Sequence, residues 1–285
     1  SSNMAVDEDP DDKTDNIVKK FENNGVRLLR QVPRAGKTSA LNLGIKFASG
    51  DILVFSDANS IYEKNVLKRL VRNFHDPQVG YVTGKMIYTN PDGSTIGDGC
   101  SSYMKYENLL RKIETDIGSV VGVDGGIDAA RKKLYQPMNQ DQLPDFVLPL
   151  KVVEQGYRVV YEAEALLKEQ SLKSSDDEYR MRVRVSLRAL WALKDMRSLL
   201  WNKKNIVFSW QLWSHKLLRY FCFIFLIIAY FSNLKLWSDH KLFSVLFIIQ
   251  TAGYTGALFA PFLFRFNNKF RILFFVHYFV LLNLA

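Results

Sequence analysis

The chain of 285 residues is long enough for one large domain and a second, smaller part. Its two cysteines, Cys100 and Cys222, are too few and too far apart in sequence for a disulfide framework or a cysteine metal site. The net charge of +9 suits a protein at a membrane surface and requires no nucleic acid as a partner.

The first half of the chain alternates helix and strand patterns. It opens without the apolar strand that begins most α/β domains. The acidic run from Asp7 to Asp12 predicts a loop, and a helix that ends at Gly25 follows it. Then come a strand "VRLLRQV", a helix "TSALNLGIKFASG" and a strongly apolar strand "DILVFSD". Further helix and strand patterns continue to "YRVVYE", so we expect an α/β domain with a mostly parallel sheet and helices on both faces.

The first strand-to-helix junction, "QVPRAGKTSALN", resembles a phosphate-binding loop in its last letters. A Walker A loop requires a glycine five residues before Gly36, and that position is Gln31. Pro33 also removes one of the N–H donors that would surround a phosphate. A P-loop NTPase is therefore a minor alternative, and a solvated Lys37 in a plain loop is the simpler interpretation.

The strand "DILVFSD" ends directly on Asp57, followed by Asn59. Ligands bind at the carboxyl ends of parallel strands, so these oxygen-bearing side chains are candidates to hold a divalent cation and the phosphates that it bridges. The alternative is that either residue caps the next helix.

Asp145 precedes the apolar helix "FVLPLKVVEQG". It is a candidate helix cap, and a helix N-terminus also keeps a carboxylate ionised, as a general base requires. The same residue could fill both roles.

The segment before the apolar C-terminal part carries arginines beside Trp191 and Trp201. One interpretation is an amphipathic helix at the membrane interface, bound to lipid phosphates. The other is that one arginine turns inward and binds a substrate diphosphate.

Three long apolar runs begin at Leu217, Leu242 and Phe270, and the first two have the length needed to span a bilayer. Basic residues precede the first run and lie between the second and third runs, which predicts that the N-terminal domain lies in the cytoplasm. These residues are Arg180, Arg182, Arg184, Arg188, Lys194, Arg197, Lys203, Lys204, Lys216, Arg265, Lys269 and Arg271. We therefore expect a multi-pass protein of the cytoplasmic (inner) membrane. Its expected parts are a catalytic domain at 1–175, an interfacial segment at 176–214 and, at 215–285, two complete spans with a truncated third.

Taken in order, the motifs "GKTSALN", "FSDAN", "VTG", "VDGGIDAARKKLY", "PDFVLPL" and "GYRVVYEAEA" resemble the membrane-bound family 2 glycosyltransferases. These are relatives of cellulose, chitin and hyaluronan synthases, and the bacterial exopolysaccharide enzymes are the most similar group. The resemblance implies a GT-A domain that transfers a sugar, with inversion, from a UDP-sugar to a saccharide or lipid-linked acceptor. It also implies Mg or Mn as the cofactor and membrane lipids as partners.

The resemblance also implies roles for individual residues. Asp57 would contact the nucleotide sugar and the metal, and Asn59 would be the second metal ligand. Asp145 would be the base that deprotonates the acceptor, although Pro144 replaces the acid that precedes it in the family.

Lys37 and Glu8 match positions near the nucleotide. Arg182, in "YRMRV", matches the arginine of the Q-x-x-R-W motif of processive enzymes, whose glutamine and tryptophan are replaced here.

The chain departs from the family at both ends: it lacks the opening strand and loop, and its last span stops early. We therefore expect a fragment that binds UDP poorly. A catalytically inactive relative that senses a nucleotide and regulates polysaccharide export is the main alternative of another class.

Overall fold

A computed structural model of the chain describes residues 3–8, 13–89, 95–170, 175–264 and 271–284. The contacts divide the chain into two compact units. The first unit comprises Ser1–Ile87, Glu107–Glu169 and Trp191–Gln211, and the second comprises Tyr88–Tyr106, Gln170–Leu190 and Leu212–Ala285. Two long helices therefore contribute residues to both units.

Seven strands are formed by the described residues. They are β1 (Asn3–Asp7), β2 (Val26–Arg30), β3 (Ile52–Ser56), β4 (Ile61–Tyr62), β5 (Val79–Thr89), β6 (Ile127–Arg131) and β7 (Arg158–Gln170). The helices of the first half are α1 (Thr14–Lys19), α2 (Lys37–Phe47), α3 (Val66–Arg72), α4 (Thr95–Ile117) and α5 (Pro144–Glu154). The later helices are α6 (Ser175–Asp195), α7 (Ile206–Gln211), α8 (Leu218–Tyr220), α9 (Cys222–Lys235), α10 (Lys241–Phe264) and α11 (Arg271–Leu284), and a π-helical turn, Leu212–Leu217, separates α7 from α8.

The α/β class is confirmed, but the directions of the strands differ from the expected mostly parallel sheet. Strands β1 and β2 pair in parallel in a small sheet of their own. The larger sheet has the order β3-β6-β5-β7-β4, and its pairs β3/β6, β5/β6 and β4/β7 are antiparallel. An alternating pattern predicts parallel pairing only for strands joined by one crossover. Strand β6 instead follows the 23-residue helix α4 and inserts between β3 and β5 in the opposite direction.

The core of the first unit lies between this sheet and α5. Ile127, Ala129 and Ala130 of β6 are fully buried, as expected for a central strand covered on both faces. Leu148 and Leu150 of α5 are almost completely removed from solvent, and each such side chain contributes roughly 1.5–3 kcal/mol of burial free energy. The packing fixes the strand ends and helix starts at which the polar residues lie.

The N-terminal segment contains a strand that the sequence pattern did not predict. Asn3–Asp7 form β1, so the expectation of a chain that opens without a strand is wrong at this point. Residues 9–12 of the acidic run lie outside the described residues. The predicted helix after them is confirmed as α1, and Gly25 ends the following 3-10 turn at a φ of 82°.

The second unit contains the apolar C-terminal helices. Within the described part of the chain, one helical stretch, Lys241–Ala260 in α10, is long and apolar enough to cross a membrane. The predicted first span is not one straight helix, because Ile206–Tyr220 and Cys222–Lys235 meet at an angle of 64°. The basic turn at 265–270, used to predict orientation, lies outside the described residues.

Candidate active site

Three chain elements meet at the carboxyl end of β3. This strand delivers Asp57, the N-terminus of α2 carries Lys37, and the N-terminus of α5 carries Asp145. The three side chains line a pocket, and Phe55, Tyr81, Asp128 and Leu148 also belong to its lining. Residues separated by as many as 108 positions are thus brought together by the fold.

A single ammonium group links the two carboxylates. The Nζ atom of Lys37 lies 2.7 Å from Oδ1 of Asp57 and 3.3 Å from Oδ1 of Asp145. A second contact to Oδ2 of Asp145 measures 3.4 Å. The Asp145 side chain retains only 24% of its exposure, whereas Asp57 and Lys37 retain 37% and 40%.

Burial and charge oppose each other at this cluster. Burial raises the pKa of Asp145, the ammonium of Lys37 works against that rise, and the Asp57 carboxylate adds to it. Burial would lower the pKa of Lys37, but the carboxylates of Asp145 and Asp57 outweigh that effect and raise it. Lys37 is therefore charged at neutral pH and stabilises the ionised form of the half-buried Asp145.

Asp57, Asn59 and Asp145 are not helix caps. Helix α3 begins at Val66, behind Asn65, so neither Asp57 nor Asn59 caps it. Helix α5 begins at Pro144 behind Leu143, and Asp145 occupies its second position without capping it. Asp145 still lies in the first turn, where the helix dipole favours a negative charge. The capping alternatives are wrong for all three residues.

The structure provides oxygen atoms that suit a hard divalent cation. Asn59 donates its amide to Oε1 of Glu169 at 2.7 Å, which leaves its carbonyl oxygen directed elsewhere. Burial raises the pKa of Glu169, and Asp57 raises it further. The described residues contain no group of three acidic, histidine or cysteine side chains arranged around one cation. Mg²⁺ is commonly held by one or two carboxylates with phosphates and waters, so Asp57 with Asn59 fits such an ion without a full protein cage.

Glu8 and Lys37 flank the same loop. The backbone N–H of Gly36 donates to Oε2 of Glu8 at 2.9 Å, and Arg34 lies 3.9 Å from the same oxygen. The other carboxylate oxygen of Glu8 is buried and has no hydrogen-bond partner within the described chain. Glu8 thus contacts Gly36, the residue before Lys37.

The loop geometry argues against a Walker A loop. The Thr38 hydroxyl, which would bind the cation in a P-loop, is buried and donates to the carbonyl of Gln142 at 2.8 Å. The Gly36 N–H, which would face a phosphate, is bonded to Glu8.

Arg182 belongs to the second unit, whereas the other predicted site residues belong to the first. Its guanidinium lies over the ring of Tyr103, 4.8 Å from the centroid. Arg219 lies over the same ring at 5.1 Å.

The sequence analysis assigned no role to the segment at Asp124 and Gly125, which packs against the Asp145 carboxyl. Gly125 has a φ of +81°, and a Cβ atom added to it would lie 2.1 to 2.3 Å from the carboxyl atoms of Asp145. The preceding Asp124 forms a buried ion pair with Arg111, in which Nη2 lies 2.6 Å from Oδ1. Arg111 also donates to the carbonyl of Gly122 at 3.2 Å, so the ion pair fixes the loop. The "VDGG" sequence was a signal for this loop, but nothing in it indicated the partner.

Asp128 was also missed. It lies in the central strand β6, between Phe55 and Thr83, and is 1% exposed. Burial raises its pKa to about 7, Asp145 and Asp124 add to the rise, and Thr83 and Tyr81 oppose it. The sequence alone did not indicate that this aspartate lies in a buried central strand.

Comparisons with known proteins agree with the geometry. The model of the family "Glycosyl transferase family 2" matches residues 4–136. The poly-beta-1,6-N-acetyl-D-glucosamine synthase of Staphylococcus aureus (strain COL) is 27% identical over 169 residues, which cover 57% of this chain and 41% of that protein. The glycosyltransferase GlyG of Streptococcus pneumoniae serotype 4 is 28% identical over 117 residues, 38% of this chain and 39% of that protein. The chain thus spans about two fifths of the length of the curated relatives it matches.

One solved structure supports the fold. The mannosyltransferase PcManGT from Pyrobaculum calidifontis, solved in complex with GDP-Man and Mn²⁺, superposes with a TM-score of 0.57 at 21% identity. The superposition covers 68% of this chain and 54% of that chain. The GT-A fold predicted from the sequence is thereby confirmed.

Proposed function

Because residues 4–136 belong to glycosyltransferase family 2, we propose that this chain transfers a sugar from a UDP-sugar to a saccharide or lipid-linked acceptor. The observation that carries the proposal is the convergence of Asp57, Lys37 and Asp145 at the end of β3. One carboxylate would serve the donor and the other would serve the acceptor, and the Lys37 ammonium contacts both. This division of roles matches the needs of a displacement at an anomeric carbon.

Asp145 is the proposed base. It removes the proton of the acceptor hydroxyl as the acceptor oxygen attacks, and the bond from the anomeric carbon to the diphosphate breaks with its electron pair leaving on the diphosphate. The attack and the departure occur on opposite faces of the sugar, so an α-linked donor gives a β-linked product. The first turn of α5 and the Lys37 ammonium both favour the ionised carboxylate that this step requires.

Asp57 and Asn59 are the proposed ligands of Mg²⁺ or Mn²⁺. Such an ion, when bound, stabilises the negative charge that develops on the leaving diphosphate. Asp57 directly follows strand β3, which pairs with β6, so its backbone is held while its side chain reaches solvent. Lys37 provides a further positive charge for the diphosphate.

Glu8 and Lys37 are the proposed contacts to the nucleotide sugar, and the role of Arg182 stays a prediction from the sequence. The buried, unpartnered oxygen of Glu8 suits an N–H donor such as the imide of a uracil base. The Staphylococcus relative is named for a polymer of N-acetylglucosamine. UDP-N-acetylglucosamine is therefore the first donor to test, and a polysaccharide is the proposed product.

We further propose that the reaction takes place at the cytoplasmic face of the membrane. Apolar side chains of α9 and α10 such as Ile228, Phe231, Ile249 and Leu258 are exposed, as lipid-facing residues would be. Trp201 is 73% exposed beside the basic residues of 176–214, which suits an interfacial segment. The proposed parts are a catalytic domain to residue 175, this interfacial segment, and a membrane region at 215–285.

Release of UDP tests the proposed function. Full-length protein in membranes would be supplied with a panel of nucleotide sugars, with and without Mn²⁺, and nucleoside diphosphate release would be measured. Replacing Asp57 by Asn is expected to lower the rate about 100-fold with the best donor, because the charge that binds the donor complex is lost.

Asp51→Asn is the matched control, because Asp51 lies at the other end of the same strand and is exposed. It is expected to keep the wild-type rate. Equal rates for wild type and Asp57→Asn would refute the role of Asp57, and no release from any donor would favour an inactive nucleotide sensor.

Replacing Gly125 by Ala is expected to lower transfer by about 100-fold. The new methyl group would occupy the position of the Asp145 carboxyl, and a displacement of about 1 Å at a catalytic group costs this much. Its positive φ also costs about 1 kcal/mol for alanine. The transfer rate and the thermal unfolding midpoint would be measured together.

Gly156→Ala separates the two effects. Gly156 has a φ of +85°, and a Cβ atom there would meet nothing within 4 Å. We expect both variants to lose similar stability and only Gly125→Ala to lose activity. A Gly156→Ala variant that is equally inactive would attribute the loss to general destabilisation.

A further inference from the structure

Lys37 contacts both carboxylates to which separate roles have been assigned. The ammonium lies 2.7 Å from the proposed cation ligand Asp57 and 3.3 Å from the proposed base Asp145. The contact with Asp57 has the length of a charge-assisted hydrogen bond, and the contact with Asp145 is a longer ion pair. No other cationic side chain is among the lining residues of the pocket. The base is thus neutralised by the same group that neutralises the donor-side carboxylate.

These contacts conflict with the work proposed for each carboxylate. A carboxylate that pairs with an ammonium is a weaker proton acceptor, because the positive charge stabilises its ionised form. A divalent cation beside Asp57 would also lie within a few ångströms of the ammonium, and like charges at that separation repel. This repulsion disfavours the present position of Lys37 once a cation is bound.

Lysine is suited to movement between partners. Its charge is compact and lies at the end of a flexible four-carbon stem, unlike the rigid fork of arginine. The side chain is 40% exposed, so a change of rotamer meets little packing. The first residue of α2 also anchors the stem next to the place where a diphosphate would bind if Asp57 binds the donor.

We propose that Lys37 is an internal counter-ion that occupies the donor-free site and moves from Asp57 and Asp145 to the diphosphate of the donor. Asp145 is then released to accept the acceptor's proton only in the loaded site. This inference rests on the proposed function and adds an order of events to it: the donor binds first, and Asp145 becomes free to act as the base afterwards. Water bound in the donor-free site consequently meets a base that is already paired.

Binding of Mn²⁺ without any donor tests the inference. The spectrum of free Mn²⁺ would be recorded by electron paramagnetic resonance during titration of the purified full chain. Lys37→Met keeps the length of the stem and removes the charge. We expect it to bind Mn²⁺ at least about tenfold more tightly than wild type, because the competing charge is gone.

Two further variants control the experiment. Lys37→Arg keeps the charge and is expected to bind Mn²⁺ as weakly as wild type. Lys46→Met removes an exposed lysine from the last turn of the same helix and is expected to match wild type. If Lys37→Met does not fold, as judged by its melting curve, Lys37→Gln replaces it in the same titration.

Addition of UDP provides the second measurement. We expect UDP to tighten Mn²⁺ binding to wild type more than to Lys37→Met, because only wild type has the ammonium to contribute to the diphosphate. Equal Mn²⁺ affinities of wild type and Lys37→Met without UDP would overturn the counter-ion role even if sugar transfer is demonstrated. If neither protein binds Mn²⁺ with or without UDP, the counter-ion role is overturned together with the proposed cation. A protein that shows the expected Mn²⁺ differences but transfers no sugar would contradict the proposed function alone.

Discussion

Replacement of Asp145 by Asn is expected to lower sugar transfer by about 1,000-fold while the protein remains folded, since general base catalysis contributes roughly 10² to 10⁴. Asparagine has nearly the same shape, so the contact with Gly125 is kept, but an amide cannot accept the acceptor's proton. The Lys37 ammonium loses one of its two partners and pairs with Asp57 alone. Donor binding is therefore expected to change much less than turnover. The measurement is UDP release and product formation by full-length protein with UDP-N-acetylglucosamine and the other donors of the panel.

Asp141→Asn is the control for this variant. Asp141 lies four residues earlier, in the turn before α5, and is exposed, so the same chemical change is made outside the pocket. It is expected to keep the wild-type rate. Equal UDP release by wild type and Asp145→Asn would remove Asp145 as the base. Equally low release by both would favour a chain that binds a nucleotide without catalysis.

The elements that the sequence predicted well are those with a strong local pattern. The strand β3 is an apolar run directly followed by the charged Asp57, and α2 begins after Gly36 and ends at Phe47, three residues before Gly50. The strand β1 was missed because five residues followed by an acidic run give too short a pattern. The direction of β6 could not be predicted, because it depends on the path of α4, which connects β5 to β6 in the chain.

The sequence also predicted which side chains would carry the chemistry, but not how they contact one another. Asp57 and Asp145 were predicted from their positions after a strand and before a helix. The bridge that Lys37 makes between them depends on tertiary structure, as does the bond from Asn59 to Glu169, 110 residues away. Local patterns contain no information on such pairs. The apolar run at Leu217 shows the same limit, because its composition predicted a span while the backbone bends near Phe221.

Asp128 is a carboxyl group that burial makes costly to ionise. It lies in the middle of the central strand and is 1% exposed, and one of its carboxylate oxygens has no hydrogen-bond partner within the described chain. The charged groups that face it are Asp145 and Asp124, both acidic, and the polar groups that oppose the effect are Thr83 and Tyr81. An ionised carboxylate there is surrounded by apolar strands and like charges. We therefore expect its ionisation to destabilise the fold.

The direction of the pH dependence follows from the raised pKa. Below its ordinary value of 3.8 Asp128 is protonated in both the folded and the unfolded chain, and it costs nothing. Between that value and about 7 the unfolded chain releases the proton while the folded chain keeps it, so the contribution of this residue to stability falls as the pH rises. Above about 7 both forms are ionised and the loss is constant, at about 4 kcal/mol for a shift of this size.

Asp128→Asn removes this titration. The variant is expected to gain stability relative to wild type as the pH rises from 4 to 8. The thermal unfolding midpoint of the variant is expected to rise, relative to that of wild type, by about 10 °C over this range. Any constant cost of the amide cancels, because only the change of this difference with pH is compared. Asp116→Asn, which alters an exposed residue of α4, is expected to show a constant difference. If the difference between the unfolding midpoints of Asp128→Asn and wild type is also constant from pH 4 to pH 8, Asp128 is solvated or paired when it is ionised. Its ionisation would then not destabilise the fold.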